Sequence, residues 1–224
     1  PILWHIMKLY AHHGFNEFVL ALGYKGEKIK EYFMDYQSWK NTDFTMHMGP
    51  EHKVEHHKDT QEDWKITFVN TGVHTQTGGR IKRVQKYIDG DEFMVTYGDG
   101  LSDMDIKDLL RFHHKTGRIG TLTCVQPTSQ FGILQIKDNV VTQFKEKPKL
   151  KDYINGGFFV FKKEFFDYLG DNDVLEQVPL EKLAQKRQLA AYKYDGFWQC
   201  MDTFKDMQNL NDQWQSHKAK WKVW

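Results

Sequence analysis

Apolar residues at Ile2, Leu3, Ile6, Leu9 and Tyr10 recur at helical spacing, which predicts a helix that opens the chain and stops at Gly14. Phe18-Val19-Leu20-Ala21-Leu22 is a short continuous apolar run of the kind buried parallel strands show. A helical pattern resumes from Glu27 to Tyr36. Helix, strand and helix at this pace predict an α/β fold built on a wound sheet. Residues 43–69 break the rhythm with three strand-like runs, Thr45–Met48, Lys53–His56 and Trp64–Val69, expected as an antiparallel β excursion.

Beyond a polar loop, Gly78-Gly79 leads into a helix through Arg80, Val84 and Tyr87. Glu92 to Tyr97 then reads as a buried strand that ends abruptly in Gly98-Asp99-Gly100. Ser102 and Asp105 have the spacing of a capping box for a helix running to His114 and ending at Gly117. A strand over Gly120–Val125 follows, then a hairpin of Phe131–Ile136 and Val140–Phe144 across Asp138-Asn139. Phe158–Phe161 is a further apolar strand, and another lies near Ala190–Tyr194. Helices fit Lys163–Leu169, Pro179–Arg187 and Thr203–Gln215. There is no repeat or low-complexity linker, so one domain over 1–224 with a β insertion at about 43–69 is expected.

Composition narrows the function classes. The 224 residues include 16 Phe, 10 Tyr and 7 Trp, enough for a large core and incompatible with wholesale disorder. Lys and Arg number 31 against 30 Asp and Glu, too even for a dedicated nucleic-acid binder. Mean hydropathy is −0.67 and no apolar run approaches a membrane span. Cys124 and Cys200 cannot build a disulfide framework, and suit a reducing cytoplasm.

Several short segments can carry chemistry. Asp99, flanked by glycines at the carboxyl end of a buried strand, stands where open α/β sheets bind ligands; it can hold Mg²⁺ or simply serve a turn. Thr77-Gly78-Gly79-Arg80 opens a helix and offers amides to a phosphate or a base edge, or forms an ordinary glycine turn capped by Thr77. Glu146 and Lys147 can meet sugar hydroxyls and a phosphate, or mark an exposed strand face. Phe131-Gly132 and Asn155-Gly156-Gly157 give backbone access. Asp202 suits either a metal or a helix N-cap. The pairs His12-His13, His56-His57 and His113-His114 lack zinc spacing and are expected on solvated faces, and neither cysteine has a redox or nucleophile context.

Taken in order, these pieces resemble the sugar-1-phosphate nucleotidyltransferases end to end. The resemblance is carried by Gly23-Tyr24-Lys25-Gly26, Thr77-Gly78-Gly79-Arg80, Tyr97-Gly98-Asp99-Gly100, Glu146-Lys147-Pro148 and Ile154-Asn155-Gly156-Gly157. Val54-Glu55-His56-His57-Lys58 and Gly196-Phe197-Trp198-Gln199 with Met201-Asp202-Thr203 are similar to the glucose-1-phosphate cytidylyltransferase branch. The resemblance implies a Rossmann-like fold with a mixed central sheet. It also implies a Mg²⁺-dependent union of CTP with α-D-glucose 1-phosphate into CDP-glucose and pyrophosphate. By carry-over, Asp99 and Asp202 hold the metal, Thr77, Gly78, Gly79 and Arg80 line the nucleotide pocket, and Gly98 borders the ribose. Gly132, Glu146, Asn155 and Gly156 hold the glucose, with Lys147 on its phosphate. Relatives self-associate, so a homo-oligomer is expected, with the strands within 43–69 and the Trp-bearing tail larger than a monomer needs.

The family's Gly-Gly-x-Gly-Thr-Arg-Leu loop and first strand are absent ahead of Pro1, so the 224-residue chain by itself is expected to make negligible CDP-glucose. Gln130 also stands where relatives carry Arg. Two other functions compete. Asp103-Met104-Asp105 is a D-x-D of the sort metal-dependent glycosyltransferases use, unless both acids cap a helix. A non-catalytic sugar-phosphate-binding subunit would keep the sugar-side residues alone.

Overall fold

The computed structural model describes residues 1–36, 43–50, 52–56, 62–129 and 131–224. In chain order the elements are α1 (Ile2–His12), β1 (Glu17–Leu22), α2 (Gly26–Tyr36), β2 (Phe44–His47), β3 (Lys53–His56), β4 (Lys65–Asn70) and α3 (Thr77–Val84). Then come β5 (Glu92–Thr96), β6 (Gly100–Ser102), α4 (Ile106–Thr116), β7 (Gly120–Val125), β8 (Ile133–Lys137), β9 (Val140–Lys145) and β10 (Ile154–Lys162). The last are α5 (Val178–Gln185), β11 (Leu189–Tyr194), β12 (Trp198–Cys200) and α6 (Phe204–Gln215). They fall into two compact units, one of residues 1–15, 89–168 and 176–224, the other of 16–88 and 169–175.

The first unit is organised by a mixed sheet in the order β11-β7-β10-β5. β11 runs parallel to β7, while β10 is antiparallel to both β7 and β5. The continuous apolar run predicts a strand covered on both faces, and Phe158, Phe159, Val160 and Phe161 are all at most 1% exposed. Each such side chain contributes roughly 1.5–3 kcal/mol on burial, so β10 is the spine of this core. Phe165 stacks on Phe161 with ring centroids 3.9 Å apart. It does so from a 3₁₀ helix over Lys163–Tyr168, where the sequence predicted an α-helix.

α1 buries Ile6, Met7, Leu9 and Tyr10 on the predicted stripe. The tail returns to this helix. Trp221 is 2% exposed and its indole N–H donates to His5 Nδ1 at 3.3 Å, while Trp224 packs edge-on against Trp4. The tail aromatics expected to exceed a monomer's needs are therefore spent within the chain. Near α4 the expected capping box is also corrected. Asp105 is the N-cap, accepting from the amides of Lys107 and Asp108, whereas Ser102 lies in β6 and its hydroxyl donates to the Phe197 carbonyl. His113, expected in solvent, is 1% exposed with Nδ1 2.8 Å from Thr121 Oγ1, because it falls on the inward stripe of α4. His114 does face solvent, against Glu92.

In the second unit β1 pairs with β4 in parallel, from Glu17↔Lys65 to Leu22↔Asn70. The excursion therefore shrinks to the antiparallel β2–β3 hairpin. Trp64–Val69, expected as its third strand, pairs with β1 instead, since an isolated apolar run does not reveal its partner. His57 and Lys58 lie outside the described residues, as does Gln130.

Candidate active site around Asp99 and Asp202

The short strands β6 and β12 pair antiparallel, with Trp198↔Ser102, Gln199↔Leu101 and Cys200↔Gly100. The ladder continues one rung beyond the last pair, where the Met201 amide donates to the Asp99 carbonyl at 2.8 Å. Residues about a hundred positions apart in sequence are thereby brought side by side. Asp99, Cys200 and Asp202 each offer one ligand atom, and these atoms all lie within 4.8 Å of one another. Asp202 does not cap the helix that follows it. Thr203 does, in a capping box with Asp206, which leaves the Asp202 carboxylate available for other work.

The donor chemistry fits Mg²⁺. That ion takes oxygen ligands and binds through one or two carboxylates, and Asp99 and Asp202 supply two. Partial burial, together with the charge of Asp202, lifts the Asp99 carboxyl above its ordinary pKa. Two crowded negative charges are what a divalent cation relieves. Cys200 Sγ donates to Asp202 Oδ1 at 3.3 Å, and its thiol is pushed up to about 12, first by burial and then by that hydrogen bond. At neutral pH it is a neutral thiol among oxygen ligands.

A hydrogen-bonded brace stands behind this pair. The Tyr97 hydroxyl donates to the Glu176 carboxylate and accepts from Asn155 Nδ2 at 3.1 Å. Asn155 Oδ1 accepts from the Gly157 amide at 2.9 Å, and the Gly157 carbonyl accepts from the Tyr97 amide at 3.0 Å. Gly157 sits at φ +78°, and a Cβ there would come within 2.7 Å of the Tyr97 ring. Only glycine meets both demands. The Trp198 indole donates to the Gly156 carbonyl at 2.8 Å, tying β12 to the irregular start of β10.

Comparison with known proteins decides the family. A family model described as nucleotidyl transferase matches residues 1–217. The glucose-1-phosphate cytidylyltransferase of Salmonella typhimurium is 47% identical over 228 residues, covering 100% of this chain and 88% of that protein. The chain belongs to the nucleotidyltransferase family. HddC from Yersinia pseudotuberculosis shares the fold at a TM-score of 0.67 and 20% identity, over 96% of this chain and 85% of that one. A UDP-glucose pyrophosphorylase complexed with UDP-glucose does so at 0.64 and 13%, over 97% and 87%. The Rossmann-like expectation with a mixed central sheet holds.

Other predicted residues of this nucleotidyltransferase form separate groups. At the hairpin, Asp138 and Asn139 take φ +48° and +63°, the two positive values a tight hairpin turn needs. Gly132 lies against Phe144 and Glu146, and Lys147 Nζ is 3.8 Å from Glu146 Oε1. In the second unit, Thr77 does not cap α3. Gln76 holds the cap position, and Thr77 Oγ1 accepts from the Leu175 amide at 2.8 Å. The Gln76 and Gly79 amides donate to Asn172 Oδ1 and to the Asp173 carbonyl. The glycine pair thus admits the 171–173 backbone, where a Cβ on Gly79 would lie 2.5 Å from the Asp171 carbonyl oxygen. Arg80 donates to Thr71 Oγ1 at 2.7 Å and to the carbonyls of Gly72 and Val73.

Both acids of the D-x-D are consumed structurally. Asp103 accepts from the Tyr194 hydroxyl and from the Phe197 amide at 2.8 Å, and Asp105 caps α4. Sequence reasoning gave no role to Tyr97, Glu176, Trp198 or Cys200. Cys200 alone left a signal, since residues 200 and 202 share a face when the backbone is extended.

Proposed function

We propose that the protein transfers the cytidylyl group of CTP to α-D-glucose 1-phosphate, forming CDP-glucose and pyrophosphate. The observation that carries this reading is the convergence of Asp99 and Asp202, in a chain 47% identical to a glucose-1-phosphate cytidylyltransferase. The family model spans both compact units, which supports treating residues 1–224 as one catalytic domain.

Asp99 and Asp202 would hold Mg²⁺, which when bound supplies charge neutralisation on phosphate oxygens. A sugar phosphate is already largely ionised at neutral pH, so the chain need not provide a general base. Its task is to align the attacking oxygen with the α-phosphorus and to counter the charge of the departing pyrophosphate. Gly98 suits the ribose, because a side chain placed there would meet nothing within 4 Å. Thr77, Gly78, Gly79 and Arg80 are assigned to the nucleotide, with Arg80 also bracing the 71–73 loop. Gly132, Glu146, Asn155 and Gly156 are assigned to glucose, and Lys147 to its phosphate. The hairpin β8–β9 exposes Ile136, Val140 and Phe144, which favours self-association, and the two free cysteines suit a cytoplasmic setting.

The test is pyrophosphate release from CTP and glucose 1-phosphate by the full-length protein. CDP-glucose formed with Mg²⁺, and lost with chelation, supports the assignment. Consumption of CTP no faster than a buffer blank overturns it.

A further inference from the structure

The two carboxylates account for a hard, oxygen-only metal centre, yet a third donor of a different kind stands in the same cluster. Cys200 closes β12 opposite Gly100, a residue with no side chain to cover it from the facing strand. Its sulfur is 3.3 Å from Asp202 Oδ1, and the ligand atoms of Asp99, Cys200 and Asp202 stay within 4.8 Å of one another. Bond lengths of about 2.3 Å from zinc to sulfur and about 2.1 Å to oxygen place two ligands of one tetrahedral ion ~3.6 Å apart. The sulfur and Asp202 oxygen already stand near that spacing. The third atom needs to close by no more than about an ångström, within the reach of a side-chain rotation.

We propose that Cys200 makes this centre a binding site for a thiophilic divalent cation, Zn²⁺ or Cd²⁺, held by a direct metal–thiolate bond with Asp99 and Asp202 as the oxygen ligands. It deepens the metal reading of the proposed function and rests on it. Mg²⁺ draws on the carboxylates alone, because hard ions prefer oxygen, whereas soft and borderline ions select thiolate. Binding is an exchange without redox change: the S–H bond breaks, the S–metal bond forms, and one proton leaves to solvent. The thiophilic ion occupies the carboxylates that Mg²⁺ requires, so the two ions compete.

The experiment titrates the metal-free 224-residue chain with Cd²⁺ and follows the ultraviolet sulfur-to-cadmium charge-transfer band. Isothermal titration with Zn²⁺ in two buffers of different ionisation enthalpy counts the protons released. The band should appear with saturating stoichiometry, and Zn²⁺ should release about one proton per ion. Cys200→Ser should abolish the band and weaken Cd²⁺ binding by at least ~10-fold, while Cys124→Ala keeps it. The band surviving in Cys200→Ser, or Cd²⁺ binding equally tightly there, overturns the proposal. Mn²⁺ binding, followed by electron paramagnetic resonance as the oxygen-seeking probe, separates the two readings. Mn²⁺ bound without a Cd²⁺ band means that the carboxylate centre stands and the sulfur ligand fails. A Cys200-dependent band with no Mn²⁺ binding means that the Mg²⁺ reading fails and the thiophilic site stands.

Discussion

The Met201 amide donates to the Asp99 carbonyl at 2.8 Å, a hydrogen bond that holds the backbone next to Asp202 beside that of the remote Asp99. It extends the β6–β12 ladder past Cys200↔Gly100, so Asp99 and Asp202 leave the pairing together and on neighbouring backbones. Position is what makes the pair a candidate metal centre.

Asp202→Asn keeps the shape of the side chain and removes its negative charge, leaving Asp99 as the only carboxylate of the pair. Thr203 and Asp206 cap the following helix independently, so the fold should persist. Turnover should fall by about 10²–10³-fold, the scale of losing one electrostatic contact in a transition state. Nucleotidyl transfer assays over a range of Mg²⁺ concentrations, with circular dichroism as the folding control, check this. Full activity in the variant would remove Asp202 from the centre.

Gly79→Ala should destabilise the protein by ~1–3 kcal/mol, since the added Cβ would lie 2.5 Å from a backbone oxygen of Asp171 that cannot swing aside. Urea denaturation midpoints of the variant and parent measure the effect. An unchanged midpoint would mean that the 171–173 segment does not pack against the start of α3.

His5 predicts a pH-sensitive tail. Burial is the main cause that lowers its pKa from 6.5 to about 4, and its Nδ1 must stay unprotonated to accept from Trp221. A histidine whose folded pKa is depressed contributes stability that is present above the unfolded value. That stability is lost as pH falls from 6.5 through about 4, because the unfolded chain binds the extra proton. Proton NMR of His5 should titrate near the lower value, and tryptophan fluorescence of the tail should change over the same window. A titration midpoint near 6.5 would contradict the buried, neutral ring.

Asp103→Asn separates the D-x-D from the metal centre. Asp103 accepts from the Phe197 amide and the Tyr194 hydroxyl, so the variant should lose about 1–3 kcal/mol of stability. Its affinity for Mn²⁺ should match the parent's. A variant of native stability that no longer binds the ion would return the D-x-D to the metal site.

Much of this fold was legible in local patterns. The stripe of α1, the glycine stop of α4 and the double positive φ at Asp138-Asn139 each follow from a handful of adjacent residues. Asp99 could be singled out because glycines flank it at the end of an apolar strand. Tyr97, Glu176 and Trp198 could not, since nothing in their neighbours announces the bonds from Tyr97 to Glu176 and from Trp198 to Gly156. The parallel partner of β4, the inward turn of His113 and the return of Trp221 onto His5 were hidden for the same cause.

The sequence by itself determined the alternation of helices and strands, the apolar spine of β10 and the segments that carry the family likeness, because those depend on side-chain type at short spacing. Only the tertiary structure decided which backbone pairs with which. That choice brought Asp99, Cys200 and Asp202 together, spent Asp103 and Asp105 on structure and filled the start of α3 with the 171–173 segment. The physical reason is range. Propensity and hydrophobic period act over a few residues, whereas ladder hydrogen bonds and close packing join positions a hundred apart and are fixed when the chain condenses.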